Sequence, residues 1–397
     1  MKNMKKIIAL MTAVVLSMAV ITACGNGNDQ GSSTDTSTSA DTSTDAGDDV
    51  FLIGGIGPIT GPAASYGISV KQGAEIAIQE INDAGGVTVG GKTYTFALEF
   101  ADDEASEEKA PQAYNSLMDK GINVLLGAVT SGASISIADH TYADGILQIT
   151  PSASAPGAIV NDNAFRTCFS DPEQGIAMAA YIVEELGHTK VAVIYNAADE
   201  YSTGIREEFE AEVEALGGEI VASEAFNTDD VDFNTQLTTI RGTDAEAIYV
   251  PAYYQDATFI TKQAADMGLD LPFFGSDGWD GILGTVTDKA TVEGVIFSSP
   301  FCAAVDEPNV VDFVNAYEAA YNAIPDQFAA GSYDTVYSFK AAMEEAGSIE
   351  SADLIAAMLN ITVSGLTGDA ISFDESGAVV KEVKFVTVQD GEYAYVD

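Results

Sequence analysis

The chain has 397 residues, of which 47% are hydrophobic, enough for two domains of ordinary size with real cores. It carries 61 acids against 16 lysines and arginines, a formal charge of −45, and the acids are scattered along the chain. Such a surface repels nucleic acid and anionic headgroups and excludes both as partners, and the acidity reads as a device of solubility and environmental adaptation.

The first segment is not part of a fold. Lys2, Lys5 and Lys6 precede an apolar run from Ile7 to about Ile21, and small residues then lead to Cys24. That order describes a secretory signal, too short and wrongly flanked for a stable membrane span. ITAC (residues 21–24) resembles the lipobox of bacterial lipoproteins, which implies that Cys24 is lipidated and becomes the new N-terminus. Residues 1–23 would be the signal peptide, and because they hold three lysines and no acid, their loss takes the charge from −45 to −48. Residues 24–49 contain no large apolar side chain and read as the lipidated cysteine followed by a disordered tether. The expectation is a body on the outer, extracytoplasmic face of the cell membrane, attached to it through the lipid anchor only.

From Val50 onward, a short apolar run, a Gly- or Pro-marked loop and an amphipathic stretch recur. FLIGGIG (51–57) reads as a buried strand, and behind it Val70, Ala74, Ile76, Ala77, Ile78 and Ile81 fall at helical spacing, with Gly85-Gly86 as the stop. TYTFALEF alternates as a strand; a helix over about 107–120, the strand NVLLGAV, a helix over about 133–143 and the strand ILQIT follow. After Phe165 the series repeats, with helices over about 173–186, 203–216, 233–241 and 257–267 separated by KVAVIY, GEIVASEAF, AEAIYV and LPFFG. Two such series predict an α/β fold of two doubly wound parallel-sheet lobes. The last third is mixed: helices near 310–323, 329–346 and 351–359, then DAISFDES and VVKEVKFVTVQDGEYAYV, read as a hairpin joined around Asp374–Gly377 that completes one lobe.

Catalytic and metal chemistry find little support. The only histidines, His140 and His188, have no Cys, Asp or His at ligand spacing. GGIGPITG (54–61) follows a strand but spaces its glycines GxGxxxG around a proline, with no acid at the next strand end, which rules out a dinucleotide loop. DDVDFN (229–234) lacks the central Gly and terminal Glu of a calcium loop. Cys168 and Cys302 either pair or are two buried small hydrophobes, and the sequence leaves that open.

Ligands of open α/β sheets bind beyond the carboxyl ends of the strands. In this chain those ends are GPITGPAASYG, GAVTSGAS, TPSASAP, NAADEYSTG, VPAYYQDA and GSDGWDG, a polar rim with aromatic covers. In GAVTSGAS, Ser131 and the amides of Gly132 and Ala133 would open a helix and seat a carboxylate. In TPSASAP the hydroxyl and N–H of Ser154 would share that anion, while the carbonyl of Ser152 accepts from a cation. Asp277 is the acid best placed to balance an ammonium. An anion seat facing a cation seat describes a zwitterion, an α-amino acid.

With these loops in view, the sequence resembles the periplasmic binding proteins for branched-chain amino acids that serve ABC importers. The resemblance rests on GPITGPAASYG with KQGAEIAIQEINDAGG, GILQITPSASAP, FRTCFSDPEQG, DEYSTG and FFGSDGWDG. It implies a type I periplasmic-binding fold without catalysis, cofactor or metal, two lobes joined by three hinge crossovers near 166–170, 298–302 and 365–370. Lobe 1 would comprise 50–167 plus 302–366, and lobe 2 would comprise 168–301 plus 367–397. It further implies that Ser131 and Ser154 hold the ligand carboxylate, and that the Ser152 carbonyl, Ser154 and Asp277 hold the ammonium. Tyr66, Tyr201, Tyr253 and Phe328 match aromatic positions around the ligand, and Ala153 and Trp279 stand beside them as further candidates. Asp277 and Ser154 depart from a Glu and a Thr of the leucine-binding pattern, and Thr130 and Trp279 also depart from it, so the side-chain pocket differs. The implied partners are an amino acid and ABC permease subunits, with the protein a monomer. The alternatives are a same-fold receptor for an amide, an aromatic acid or a short peptide, or a sensor ectodomain.

Overall fold

The computed structural model describes residues 49–396; the expected signal peptide, Cys24 and nearly all of the tether lie outside the described residues. The first sheet is built from β1 (Asp49–Gly57), β2 (Val87–Val89), β3 (Lys92–Asp102), β4 (Val124–Leu126), β5 (Gln148–Thr150) and β6 (Ala164–Arg166). Their spatial order is β2-β3-β1-β4-β5-β6, parallel except for β2. β1 is central because both its faces can be buried: Phe51, Ile53 and Ile56 are fully covered. At Gly55 a Cβ would fall 2.3 Å from the ring of Phe100, so only glycine fits between the strand and that side chain.

The second sheet comprises β7 (Lys190–Asn196), β8 (Glu219–Phe226), β9 (Ala247–Val250), β10 (Phe273–Gly275), β11 (Ile296–Ser298), β12 (Phe385–Gln389) and β13 (Glu392–Tyr395). The order is β13-β12-β11-β10-β9-β7-β8, with β12 antiparallel to both of its neighbours and the other pairings parallel. The helices α1 (Ala64–Asp83), α2 (Ala110–Met118) and α3 (Ser131–Asp144) alternate with the first series of strands. α4 (Asp171–Ala180), α5 (Glu200–Ala215), α6 (Asn234–Arg241) and α7 (Tyr254–Asp266) alternate with the second. The alternation of periods in the sequence therefore yields two doubly wound parallel-dominated sheets.

After β11 the chain returns to the first sheet with α8 (Pro308–Tyr321), α9 (Gln327–Ala346) and α10 (Ser351–Ala357). α9 packs along α1, and Gly73 makes this possible: a Cβ there would lie 2.0 Å from the carbonyl oxygen of Ala329. α4 starts with a capping box in which Ser170 and Glu173 satisfy each other's backbone amides, which fixes where the chain leaves β6.

Two features of the C-terminal region differ from expectation. The segment after Gly365–Ala370 still lies on the first sheet: the Arg166 N–H donates to the Gly377 carbonyl (3.0 Å), and the rings of Phe165 and Phe373 are 5.6 Å apart. The passage to the second sheet thus follows Val379. The predicted turn at Asp374–Gly377 exists, but the hairpin that completes the second sheet is β12–β13, closed by Asp390-Gly391, both at positive φ. An Asp-Gly pair matches the twist of flanking strands, and that local chemistry outweighs the looser turn upstream. Among the described residues no helix is long and apolar enough to cross a membrane.

Candidate functional site

The carboxyl ends of the strands in both sheets converge on one small cavity of about 240 Å³. Tyr66 at the start of α1, Ser131 at the start of α3, Ser152 after β5 and Phe328 at the start of α9 come from the first sheet's side. Tyr201 in α5, Tyr253 just before α7, and Asp277 after β10 come from the second. Val129, Thr130 and Gly278 complete the lining. A second cavity of similar size shares Ser152, Asp277 and Phe328 and extends past Cys168, Pro300 and Thr367, next to the chain crossings.

The first wall is rich in unclaimed donors. The first intrahelical bond of α3 runs from the Ser134 N–H to the Thr130 carbonyl (3.0 Å), which leaves the amides of Ser131, Gly132 and Ala133 without intrahelical acceptors. Thr130, the residue before the helix, makes no capping bond, and its hydroxyl has no partner. The Ser131 hydroxyl accepts from the Ala155 N–H (3.2 Å), which fixes its oxygen and leaves its proton to donate. Free amides and hydroxyls at the positive end of a helix are the groups that attract an anion. The Ser152 hydroxyl is spent on the Val129 carbonyl (2.7 Å), whereas the Ser152 carbonyl accepts no hydrogen bond among the described residues.

The opposite wall carries the negative group. Asp277 is 3% exposed. Its Oδ1 accepts from the Tyr201 hydroxyl (2.6 Å), its N–H donates to Gln174 (2.9 Å), and its carbonyl accepts from the Gln327 amide (2.6 Å). Burial pushes its carboxyl up to about 6, while the Tyr201 and Gln174 side chains pull the other way. At neutral pH it is a largely ionised carboxylate in a nearly dry place, a strong partner for an ammonium.

Aromatic rings close the space between the walls. Tyr66 packs on Phe328 (centroids 4.3 Å apart) and meets Tyr254 edge-on (5.0 Å), and Tyr253 stacks on Tyr201 (5.0 Å). The Tyr66 hydroxyl donates to the Gly278 carbonyl and accepts from the Tyr254 N–H (3.1 Å), so this one side chain ties the first sheet's helix to the second sheet's loops. Gln327 adds a second tie, its N–H donating to Asp280 (2.9 Å).

Seven of the ten expected site residues therefore line one cavity, and three do not. Trp279 is fully buried with its indole N–H on the Val250 carbonyl (2.8 Å), and it fills the space above Gly275, where a Cβ would come within 2.4 Å of its ring. Ala153 is buried with its N–H on Thr150 (2.9 Å). The Ser154 carbonyl accepts from Arg166 and from the Asp171 N–H (3.0 Å), and its buried hydroxyl has no hydrogen-bond partner among the described residues, with the Asp171 carboxyl nearby. Asp171, fully buried with its carboxyl pushed well up chiefly by burial, is a group that sequence reasoning missed. Its sequence signal, SDPEQ, reads only as a helix start, and nothing local reveals that the first turn of α4 sits beneath the TPSASAP loop. Gln174 and Gln327, which fix Asp277, were missed for the same reason.

Cys168 and Cys302 are both free and buried, and burial pushes the Cys168 thiol up to about 12. Among the described residues no group of three or more His, Cys, Asp or Glu side chains is arranged to hold a metal ion.

The sequence profile described as "Periplasmic binding protein" matches residues 52–392. The chain is 30% identical to "Leu/Ile/Val-binding protein homolog 3" of Brucella melitensis over 78% of its own length and 82% of the relative's. It is 28% identical to the "Leucine-, isoleucine-, valine-, threonine-, and alanine-binding protein" of Pseudomonas aeruginosa, covering 83% of this chain and 87% of that one. Among solved structures, the branched-chain amino acid transporter substrate binding protein LivJ of Streptococcus pneumoniae, in complex with isoleucine, superposes with a TM-score of 0.80. It shares 31% identity, over 88% of this chain and 99% of that one.

Proposed function

Because the chain belongs to the periplasmic binding protein family, we propose that it is the extracytoplasmic solute-binding component of an ABC importer, holding an amino acid between its two sheets for delivery to the permease. The observation that carries this reading is the pairing of an anion seat at the start of α3 with the buried Asp277 carboxylate on the facing wall of one small aromatic cavity. A zwitterion satisfies both walls at once; an aromatic acid without an ammonium leaves the Asp277 carboxylate with Tyr201 but no cation. The names of the relatives point to leucine, isoleucine or valine as the ligand.

In this reading Ser131 and the neighbouring amides hold the ligand carboxylate, and the Ser152 carbonyl and Asp277 hold the ammonium. Tyr66, Tyr201, Tyr253 and Phe328 cover the side chain. Ala153, Ser154 and Trp279 support these groups from behind. The two sheets act as lobes that close about the crossovers near 166–170, 298–302 and 380–384, and binding favours closure to the extent that both walls contact the ligand. The protein catalyses no reaction, works as a monomer, and is held at the membrane by lipid on Cys24.

Calorimetry on protein refolded to strip endogenous ligand, with a panel of amino acids, tests the reading. Tight binding of at least one branched-chain amino acid is expected. Failure of every α-amino acid to bind would sink it.

A further inference from the structure

Two carboxyls from opposite walls come together at the start of α9. Asp326 is the residue before the helix; its Oδ1 accepts from the Ala329 N–H (3.0 Å) and its Oδ2 from the Ser69 hydroxyl of α1 (2.6 Å). Asp280 arrives from the loop after β10, and its Oδ2 accepts from the Gln327 N–H (2.9 Å). Amides of a first helical turn point the same way along the axis and rise about 1.5 Å per residue, so oxygens bound to the first and the third of them lie on the order of 5 Å apart. A carboxylate from the second sheet's side therefore caps a helix on the first sheet's side, next to that helix's own cap.

Neither acid has a cation to balance it. None of the ion pairs among the described residues includes Asp280 or Asp326. Asp326, Asp277, Tyr393 and Cys302 are the titratable groups around Asp280; Asp280, Tyr254, Tyr317 and Tyr393 are those around Asp326. Asp280 is 3% exposed and its Oδ1 has no hydrogen-bond partner. A buried carboxylate oxygen without a donor is costly, and a proton on that oxygen removes the cost. Burial pushes the Asp280 carboxyl well up and the neighbouring Asp326 pushes it further; burial raises Asp326 to about 6 against the pull of Ser69 and the helix amides.

We propose that closure of the two walls on the ligand takes up a proton from solvent, held by Asp280 and Asp326 together at the start of α9. The proposal rests on the reading of the sheets as lobes that close on an amino acid, and it adds a condition under which they close and let go. In the closed arrangement the pair carries one negative charge. When the walls part, Asp280 leaves Gln327, both carboxyls return toward water and the proton is lost at neutral pH. The closed form thus binds more protons than the open one, so affinity for the ligand falls as pH rises through the range in which only the closed pair keeps its proton. Asp277 works in the opposite sense on the acid side, because its proton must leave before an ammonium is bound.

Calorimetric titration of the stripped full-length protein with L-leucine at pH 7.5, in phosphate and in Tris, reads the protons exchanged from the difference in enthalpy between the two buffers. About one proton should be taken up per leucine bound, and affinity should weaken at least about fivefold from pH 6.5 to 8.5. Asp280→Asn keeps an oxygen for Gln327, and Asp326→Asn keeps a cap for α9. In each variant the uptake should fall to near zero, and affinity should stay within about twofold over the same pH range. Leucine bound by the parent without proton uptake, or uptake unchanged in either variant, would overturn the proposal and leave the amino-acid reading standing; the measurement on the parent needs no variant to fold. Binding of no amino acid at any pH would overturn that reading and the proposal with it.

Discussion

The Tyr201 hydroxyl donates to Asp277 Oδ1 at 2.6 Å and also accepts from the Gly278 N–H at 2.9 Å, so one phenol fixes both the carboxylate and the loop that carries it. A carboxylate held this way is pre-organised for a cation and needs no rearrangement to receive one. Asp277→Asn should therefore weaken binding of a branched-chain amino acid by about 2–5 kcal/mol, the cost of removing one partner from a buried charge pair. Affinity should also fall as pH drops through about 6, where the free protein protonates Asp277 and that proton must leave before the ammonium is bound. A flat affinity between pH 5 and 8, measured by calorimetry, would rule out this role.

Stability should move with pH in the opposite direction. Burial raises the carboxyls of Asp103, Asp277 and Asp326 to about 6 and that of Asp256 to about 7. Each such group holds its proton in the folded state at pH values where the unfolded chain has lost it. The folded state then binds more protons, and unfolding free energy declines as pH rises from about 4 to about 7. The thermal midpoint in differential scanning calorimetry should be several degrees higher at pH 5 than at pH 8. A midpoint that rises with pH across that window would contradict the assignment.

Tyr66 is the clearest tie between the two walls, since its hydroxyl both donates to Gly278 and accepts from Tyr254. Tyr66→Phe keeps the ring packing on Phe328 and removes both bonds. The closed arrangement should lose about 1–3 kcal/mol, and leucine affinity should drop roughly tenfold. Small-angle scattering should record a larger radius of gyration for the unliganded variant than for the parent. Equal radii with equal affinities would mean that the tie does not control closure.

Ser154 offers a test that separates support from direct contact. Its hydroxyl is buried and makes no hydrogen bond among the described residues, with the Asp171 carboxyl nearby. Because the substitution removes no hydrogen bond of the fold, Ser154→Val should change unfolding free energy in urea by less than about 1 kcal/mol and leucine affinity by less than about threefold. Unchanged stability with lost binding would instead place the hydroxyl on the ligand.

The cysteines give a chemical check on the core. With both thiols buried and free, native protein should resist alkylation at Cys168 and Cys302, and both sites should be modified once urea is added. Peptide mapping by mass spectrometry reads this directly, and a peptide linked between the two positions would contradict the structure.

Much of this was legible in sequence because the signals are local. Period-two and period-3.6 patterns set strands and helices from Val50 to Gly275, and short polar segments at strand ends marked Ser131, Ser152, Tyr201, Tyr253 and Asp277 as neighbours in space. The C-terminal region was read less well because its pairings are non-local. The contact of Gly377 with Arg166 spans more than two hundred residues, and no spacing within either segment announces it. The Asp390-Gly391 pair and the Asp374–Gly377 segment have similar turn composition, and only the pairing of β12 with β13 separates them.

What the sequence by itself determined is the repertoire: two βα series, an acidic surface, small residues where backbone must be reached, and one acid after β10 able to meet an ammonium. Only the tertiary structure decided orientation. It left the hydroxyls of Thr130 and Ser154 unpaired, buried Trp279 against Gly275 and gave Tyr66 to the contact between the walls. The reason is that period and composition report which faces of an element are buried. Which polar atom faces a cavity is fixed by partners supplied from distant parts of the chain, and those are set only when the two sheets come together.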